Sequence, residues 1–329
     1  MKTIDAVVCW VDSTDLAWQG VFEQYKPSAV DSAATHTARF YNADELKYCL
    51  RSIRQYLPWI RKVWVVTMNQ KPRWWIDCDF ATIVDHKDIM PASALPTFNS
   101  LAIETCMHRI PGLAQQFIYL NDDFFFGKEI NEGWFFRDEI MQLHWHGSHT
   151  LPPQPRNIYE DALHNTGLVL AKHYGLQAVA RVFNRPLHHA IPKTIQACKR
   201  AWDLFPAEMA ETCHGKFRER THVLHYISNY IALLDGGAIV APMHQMISYK
   251  FYTNDSAWLL HKSEPLPHLL CINDICQHAL LFQEWAGRMY PQQSFAEIGA
   301  IGQIKCNAEN KPLFKAPTVF LKRKKYTTK

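Results

Sequence analysis

Ile4-Asp5-Ala6-Val7-Val8-Cys9-Trp10-Val11-Asp12 is a short apolar run, rich in β-branched residues, that ends on a carboxylate. It reads as a strand buried on both faces, with Asp12 at its C-terminal end. Working outward, residues 42–57 read as a helix. Asn42 and Glu45 have the spacing of a capping box, and Leu46, Leu50, Ile53 and Leu57 make one apolar stripe that Pro58 stops. Val63 to Thr67 and Thr82 to Asp85 read as further strands. Ser100 to His108 reads as a helix stopped by Pro111-Gly112. Phe117 to Leu120 is a strand that runs into Asn121-Asp122-Asp123. Strands alternating with helices predict an α/β layer around a mostly parallel sheet. Ligands of such sheets sit outside the carboxyl ends of the strands, where Asp12, Asp122 and Asp123 fall.

Beyond His144-Trp145-His146-Gly147-Ser148-His149 and the proline-rich 151–155 the pattern turns helical, over 160–174, 193–204, 222–234 and 282–289, with a strand at 238–242. The expected organisation is an α/β half at 1–143 and an α-rich half at 144–312 that together make one catalytic domain. A basic tail follows at 313–329. A chain that is 48% hydrophobic and 20% charged has the material for a large core, which excludes global disorder. The net charge of +4 is too small to indicate nucleic-acid binding, and it is concentrated in the tail, which leaves the body mildly acidic. The tail, with Lys322-Arg323-Lys324-Lys325 beside Phe320, Leu321 and Tyr326, suits either an anionic membrane face or a solvated terminus. Apolar runs are only strand-sized, and the N-terminus has no small-residue cleavage site. The nine cysteines are scattered, without a CxxC pair, and read as reduced thiols of a cytoplasmic protein.

Adjacent carboxylates walled by aromatics, as at Asp122-Asp123, repel each other and are costly to bury. A hard divalent cation, Mg²⁺ or Mn²⁺, relieves both problems, and the competing reading is a turn with solvated acids. Cys271-Ile272-Asn273-Asp274 offers further oxygen ligands or an ordinary turn. His188, beside His189, is a proton acceptor or a loop histidine. Arg39, Arg51 and Arg218 are phosphate forks or surface ion-pair partners. His144, His146 and His149 admit a zinc reading, against local packing.

Together these segments resemble the Stealth family, whose members include bacterial capsular polysaccharide phosphotransferases and the animal GlcNAc-1-phosphotransferase. Residues 4–12 resemble its first motif. Its second resembles Arg39 to Ile53, then Pro58 to Thr67, Leu95 to Ser100, Ala102-Ile103-Glu104, His108 to Leu113 and Phe117 to Phe124. His188 and Phe217-Arg218 resemble parts of the third motif, and Cys271 to Asp274 the fourth. The resemblance implies a Rossmann-like, glycosyltransferase-A-like core with an α-rich C-terminal elaboration. It implies an enzyme moving a hexose 1-phosphate from a nucleotide sugar, such as UDP-GlcNAc, to a hydroxyl of an acceptor glycan. UMP leaves, and a capsule or surface polysaccharide grows at the inner membrane face. It implies Mg²⁺ or Mn²⁺ on Asp122, Asp123, Asn273 and Asp274. It implies catalysis by His188 as base and Arg218 as phosphoryl cation, with Asp12 in the same centre. The nucleotide sugar falls to Trp10, Asp12, Arg39, Asp44, Arg51 and Asn99. The alternatives are an ordinary metal-dependent glycosyltransferase releasing UDP and a non-catalytic glycan-binding protein on the same scaffold.

Overall fold

β1 (Ile4–Cys9) is the middle strand of a five-stranded sheet in the computed structural model of the chain, which describes residues 3–26, 32–148, 154–241, 249–253, 265–273, 275 and 278–292. In chain order there follow α1 (Leu16–Tyr25), α2 (Glu45–Tyr56), β2 (Ile60–Thr67), β3 (Ala81–Asp85), α3 (Ser100–Glu104) and β4 (Gln116–Asn121). Then come β5 (Phe124–Phe126), α4 (Ile158–Tyr174), β6 (Asn184–Pro186), β7 (Ile191–Thr194), α5 (Ile195–Leu204), α6 (Pro206–His214), α7 (Ile227–Leu234), β8 (Leu269–Asn273) and α8 (Ala279–Met289). The large sheet has the order β7-β4-β1-β2-β3. β4, β1, β2 and β3 run parallel, and β7 closes one edge antiparallel to β4. The expected α/β architecture with a mostly parallel core is therefore present.

Alternation along β1 sorts its side chains between two cores. Ala6 and Val8 pack with Leu46, Leu50 and Ile53 of α2 and with Leu57 just after it, while Val7 packs with Trp64, Phe117 and Cys106 on the other face. Each of Leu46, Leu50, Ile53 and Leu57 is fully buried and contributes about 1.5–3 kcal/mol. Asp5 is the exception on β1. Its carboxylate, also fully buried, accepts from Arg61 Nε (2.8 Å) and Nη2 (2.6 Å), Trp64 Nε1 (2.8 Å) and the Ala114 N–H (2.9 Å). Those four donors make the burial tolerable.

Three local expectations need correction. The helix begins at Glu45, and Asn42 and Glu45 form no capping box. The preceding residue, Asp44, sits at φ 66°, Asn42 Oδ1 accepts from the Asp44 N–H, and Glu45 Oε2 accepts from the Ala43 N–H. The helix expected to run from Ser100 to His108 stops after α3 and resumes only as a 3₁₀ turn at Met107–Arg109. Residues 191–194, partly read as helix, are β7. Pro192 is accommodated because β7 is an edge strand. Buried Lys193 donates to His225 O, Ser228 Oγ and Asn229 Oδ1, tying β7 to α7. Among the described residues no helix is long and apolar enough to cross a membrane. The basic tail lies outside them.

Candidate active site

A cavity of about 320 Å³ opens at the carboxyl ends of β4, β1, β2 and β3. The order of the sheet reverses between β1 and β4, since the chain continues to β2 on one side of β1 and reaches β4 on the other. Such a switch point leaves a crevice. Its wall includes Asp122 and Asp123 just after β4, Trp10 after β1, Arg39, His188 and Arg218.

The acidic end is built by three elements. β4 delivers Asp122 and Asp123 at its exit, and α2 delivers Glu45 from its first turn. β8 runs antiparallel to β5 with Cys271 opposite Phe124, and the Ile272 N–H donates to Asp123 O (3.0 Å). This pairing brings Asn273 to the cavity wall beside Asp123, although 150 residues separate the two. Asp274 lies outside the described residues.

Burial first, then repulsion from Asp123 on Asp122 and from Asp122 on Glu45, pushes both carboxyls well above their usual range. Burial likewise raises Asp123 to about 7, against a lowering by its Cys271 contact. The Cys271 Sγ–H meets Asp123 Oδ2 at 3.4 Å, while Asp123 Oδ1 has no hydrogen-bond partner and no contact with solvent. Crowded carboxylates with an orphaned buried oxygen fit a hard divalent cation. Ligand atoms of Asp123, His188 and Cys271 lie within 4.8 Å of one another. Burial and the neighbouring aspartates hold the Cys271 thiol protonated, so the carboxylates are the stronger donors.

A stability prediction follows from these shifts. Above about pH 7 the histidines with lowered pKa values are mostly neutral in both folded and unfolded chains. The folded acidic cluster still holds protons that the unfolded chain has lost, so stability falls as pH rises from about 7 to about 8. Scanning fluorimetry is expected to show a falling Tm across that window without divalent cations, and little fall with Mg²⁺ present.

His188 follows β6, its ring edge-on to Phe124 at 4.9 Å and 90°. It has open surface toward the cavity but protein around it, and burial with Arg218 and His189 nearby lowers its pKa to about 4. The imidazole is therefore neutral at pH 7 and can accept a proton. The adjacent His189 is a packing residue, buried with its Nε2 against His144 O (3.1 Å).

Arg218 Nη2 donates to Ser100 Oγ (2.6 Å) at the start of α3. The loop carrying Arg218 is held by Asn99, which is fully buried. Asn99 Nδ2 faces Gly215 O (3.3 Å), Phe217 O (3.2 Å) and His222 Nδ1 (3.2 Å), and Oδ1 caps α3 at the Leu101 N–H. Gly215 is required there, because a Cβ would lie 2.2 Å from His222 Cε1.

Four expected contacts fall elsewhere. Asn99 positions the Arg218 loop, and its polar atoms are fully engaged in doing so. Arg51 is buried with Nη1 on Tyr290 O (3.0 Å), fixing α2 to the residue after α8. Asp44 accepts from Trp74 Nε1 (3.0 Å) and pairs with Lys47 at 3.5 Å, outside the cavity wall. Asp12 is also outside the wall. Its oxygens accept from the Thr14 N–H (2.8 Å), Thr14 Oγ1 (2.7 Å) and Asn42 Nδ2 (3.0 Å), so it braces the loop behind Trp10. Sequence reading missed Glu45 as a third carboxylate, because its spacing from Asn42 suggested a cap. The zinc reading finds no cluster at His144 among the described residues. Buried His144 stacks on Trp134 at 3.9 Å with Nε2 on Trp134 O (2.8 Å), while the His146 side chain and His149 are not described.

Residues 39–144 match the family model described as Stealth protein CR2, conserved region 2. The chain is 34% identical over 299 residues to the capsular polysaccharide phosphotransferase SacB of Neisseria meningitidis serogroup A, covering 86% of this chain and 53% of that protein. It is 31% identical over 283 residues to the capsular polysaccharide phosphotransferase LcbA of Aeromonas hydrophila, covering 82% and 78%. The chain thus spans about half the length of SacB. Among solved structures, the galactosyltransferase LgtC in complex with donor and acceptor sugar analogs aligns with a TM-score of 0.41 at 9% identity, over 88% of this chain and 98% of that one.

Proposed function

The chain belongs to the Stealth family, and from that premise we propose that it is a sugar-1-phosphate transferase of capsule or surface polysaccharide synthesis. It takes a hexose 1-phosphate from a nucleotide sugar, joins it to a hydroxyl of an acceptor glycan and releases the nucleoside monophosphate. One observation carries the reading. A carboxylate cluster, a neutral histidine and an arginine line one cavity at the strand ends.

Each group has a task in that reaction. His188 takes the proton from the acceptor hydroxyl as its oxygen attacks the sugar-linked phosphorus. The phosphate charge of a bound donor raises the basicity of the imidazole above its value in the free protein. Arg218, fixed by Ser100 and the Asn99-held loop, meets charge on the phosphoryl oxygens, and Arg39 faces the same space. Asp122, Asp123 and Asn273 are the groups that would hold Mg²⁺ or Mn²⁺, which supplies charge neutralisation across a diphosphate. The rest is positioning, as is usual for phosphoryl transfer. The lysine-rich stretch 322–325 suits contact with the anionic membrane face where acceptor chains grow.

The test is the identity of the released nucleotide. With Mg²⁺, a panel of UDP-sugars and short capsule-like acceptors, chromatography is expected to show acceptor-dependent UMP. Acceptor-dependent UDP would instead mean that the C1–O bond breaks and that the enzyme is an ordinary glycosyltransferase.

A further inference from the structure

The end of α3 and the end of α6 meet at a pair of thiols. Cys106 stands just before the 3₁₀ turn Met107–Arg109 that follows α3, and Cys213 is the penultimate residue of α6. Their sulfurs lie 3.5 Å apart, although 107 residues separate the two along the chain. Of the seven described cysteines, only these two hydrogen-bond to each other. Both are buried in the core on the Val7 face of the large sheet, and neither lines the cavity. A disulfide needs its sulfurs about 2 Å apart, so these are one short approach from a bond. The hydrogen bond with Cys213, then against burial the contact with Thr105 Oγ1 (3.5 Å) and the charges of Arg109 and His214, hold the Cys106 thiol below its usual range. Cys106 is therefore the better nucleophile of the pair. Arg109 and His214 are exposed, so local opening of the short turn admits a small reagent.

The two elements joined by this contact are those that hold Arg218. α3 begins with Ser100, whose hydroxyl accepts from Arg218, and α6 leads through Gly215 into the Arg218 loop. That loop has little slack. The Val223 N–H donates to Thr212 Oγ1 (3.0 Å) across its base, Gly215 O accepts from Thr97 Oγ1 (2.9 Å), and Lys216 O accepts from the Phe98 N–H (2.8 Å). Closing the gap between the sulfurs by about 1.5 Å moves the end of α6 against the end of α3. A loop so tightly bonded passes that movement to Arg218 and Ser100 rather than absorbing it.

We propose that Cys106 and Cys213 form a redox-sensitive dithiol, and that its oxidation by a small disulfide displaces the Arg218 loop and lowers the rate of transfer. The effect on rate rests on the phosphotransfer reading, whereas the bond and the displacement do not. In the first step the Cys106 thiolate attacks the small disulfide, joins one of its sulfurs and expels the other as a thiol. In the second the Cys213 thiolate attacks the Cys106 sulfur and expels the remaining thiol. Two protein S–H bonds are lost and one S–S bond forms, while the reagent takes up both electrons and both protons as two thiols. A reducing thiol reverses the sequence.

Glutathione disulfide is the probe. After free thiols are trapped, mass spectrometry is expected to show a protein lighter by two hydrogens, with Cys106–Cys213 as the main internal cross-link. Amide hydrogen exchange should change over 97–106 and 213–222, and acceptor-dependent release of nucleoside monophosphate should fall at least about tenfold. Dithiothreitol should restore both. Cys106→Ala and Cys213→Ala are each expected to keep native transfer while losing the cross-link and the response to oxidant, and either one serves should the other not fold. No cross-link, a main cross-link between other cysteines, or a Cys106–Cys213 bond that leaves exchange over 213–222 unchanged overturns the proposal. Full transfer by the cross-linked protein overturns its effect on rate. A reduced protein without transfer activity overturns the phosphotransfer reading, and peptide mapping and hydrogen exchange then still decide the dithiol.

Discussion

His188→Gln is expected to lower the rate of phosphotransfer roughly 10²–10⁴-fold, with nucleotide binding near the native level. The substituted amide fits the same space and keeps a polar tip at the cavity wall, but it cannot accept a proton at neutral pH. The loss should therefore fall on kcat, because the base acts only as the acceptor oxygen attacks. The native ring rests edge-on against Phe124 and faces the cavity rather than the core, so the fold should tolerate the change. Single-turnover rates together with nucleotide titration separate the two quantities. Full activity in the glutamine variant would remove His188 from the chemistry.

Asp123→Asn is expected to act at the other end of the same event. It preserves shape and removes one charge from the group with the orphaned Oδ1. Divalent-dependent nucleotide binding should weaken by at least roughly tenfold and transfer by roughly 10²–10³-fold. The ligand-free protein should nonetheless be as stable as the native one or more so, because repulsion and desolvation within Glu45, Asp122 and Asp123 are relieved. Opposite effects on function and stability identify a cluster strained for binding. A drop in both would make Asp123 a structural residue.

The parts of this site that the sequence revealed are those set by strand ends. Apolar runs closing on carboxylates located Asp122 and Asp123 at the carboxyl edge of a parallel sheet, where the cavity lies. The Asn273 neighbourhood was foreseen from motif resemblance, and β5–β8 pairing is the physical means that brings it there. Side-chain direction was not legible. Arg51 and Asp44 sit on or beside α2, within one helical turn of the cavity residue Glu45 or two, yet they face α8 and the Trp74 loop. Spacing along a helix does not say which partner each face meets. Nothing near Asn99 in the sequence marks it as an anchor, because that role depends on residues 215–222, more than a hundred positions away.

The most direct test of the central claim is ³¹P NMR of the glycan product, made from a UDP-sugar, Mg²⁺ and a short acceptor. A phosphodiester resonance between the donor sugar's C1 oxygen and the acceptor, absent when His188→Gln replaces the native enzyme, is the predicted result. A glycan extended by sugar without phosphorus would contradict it.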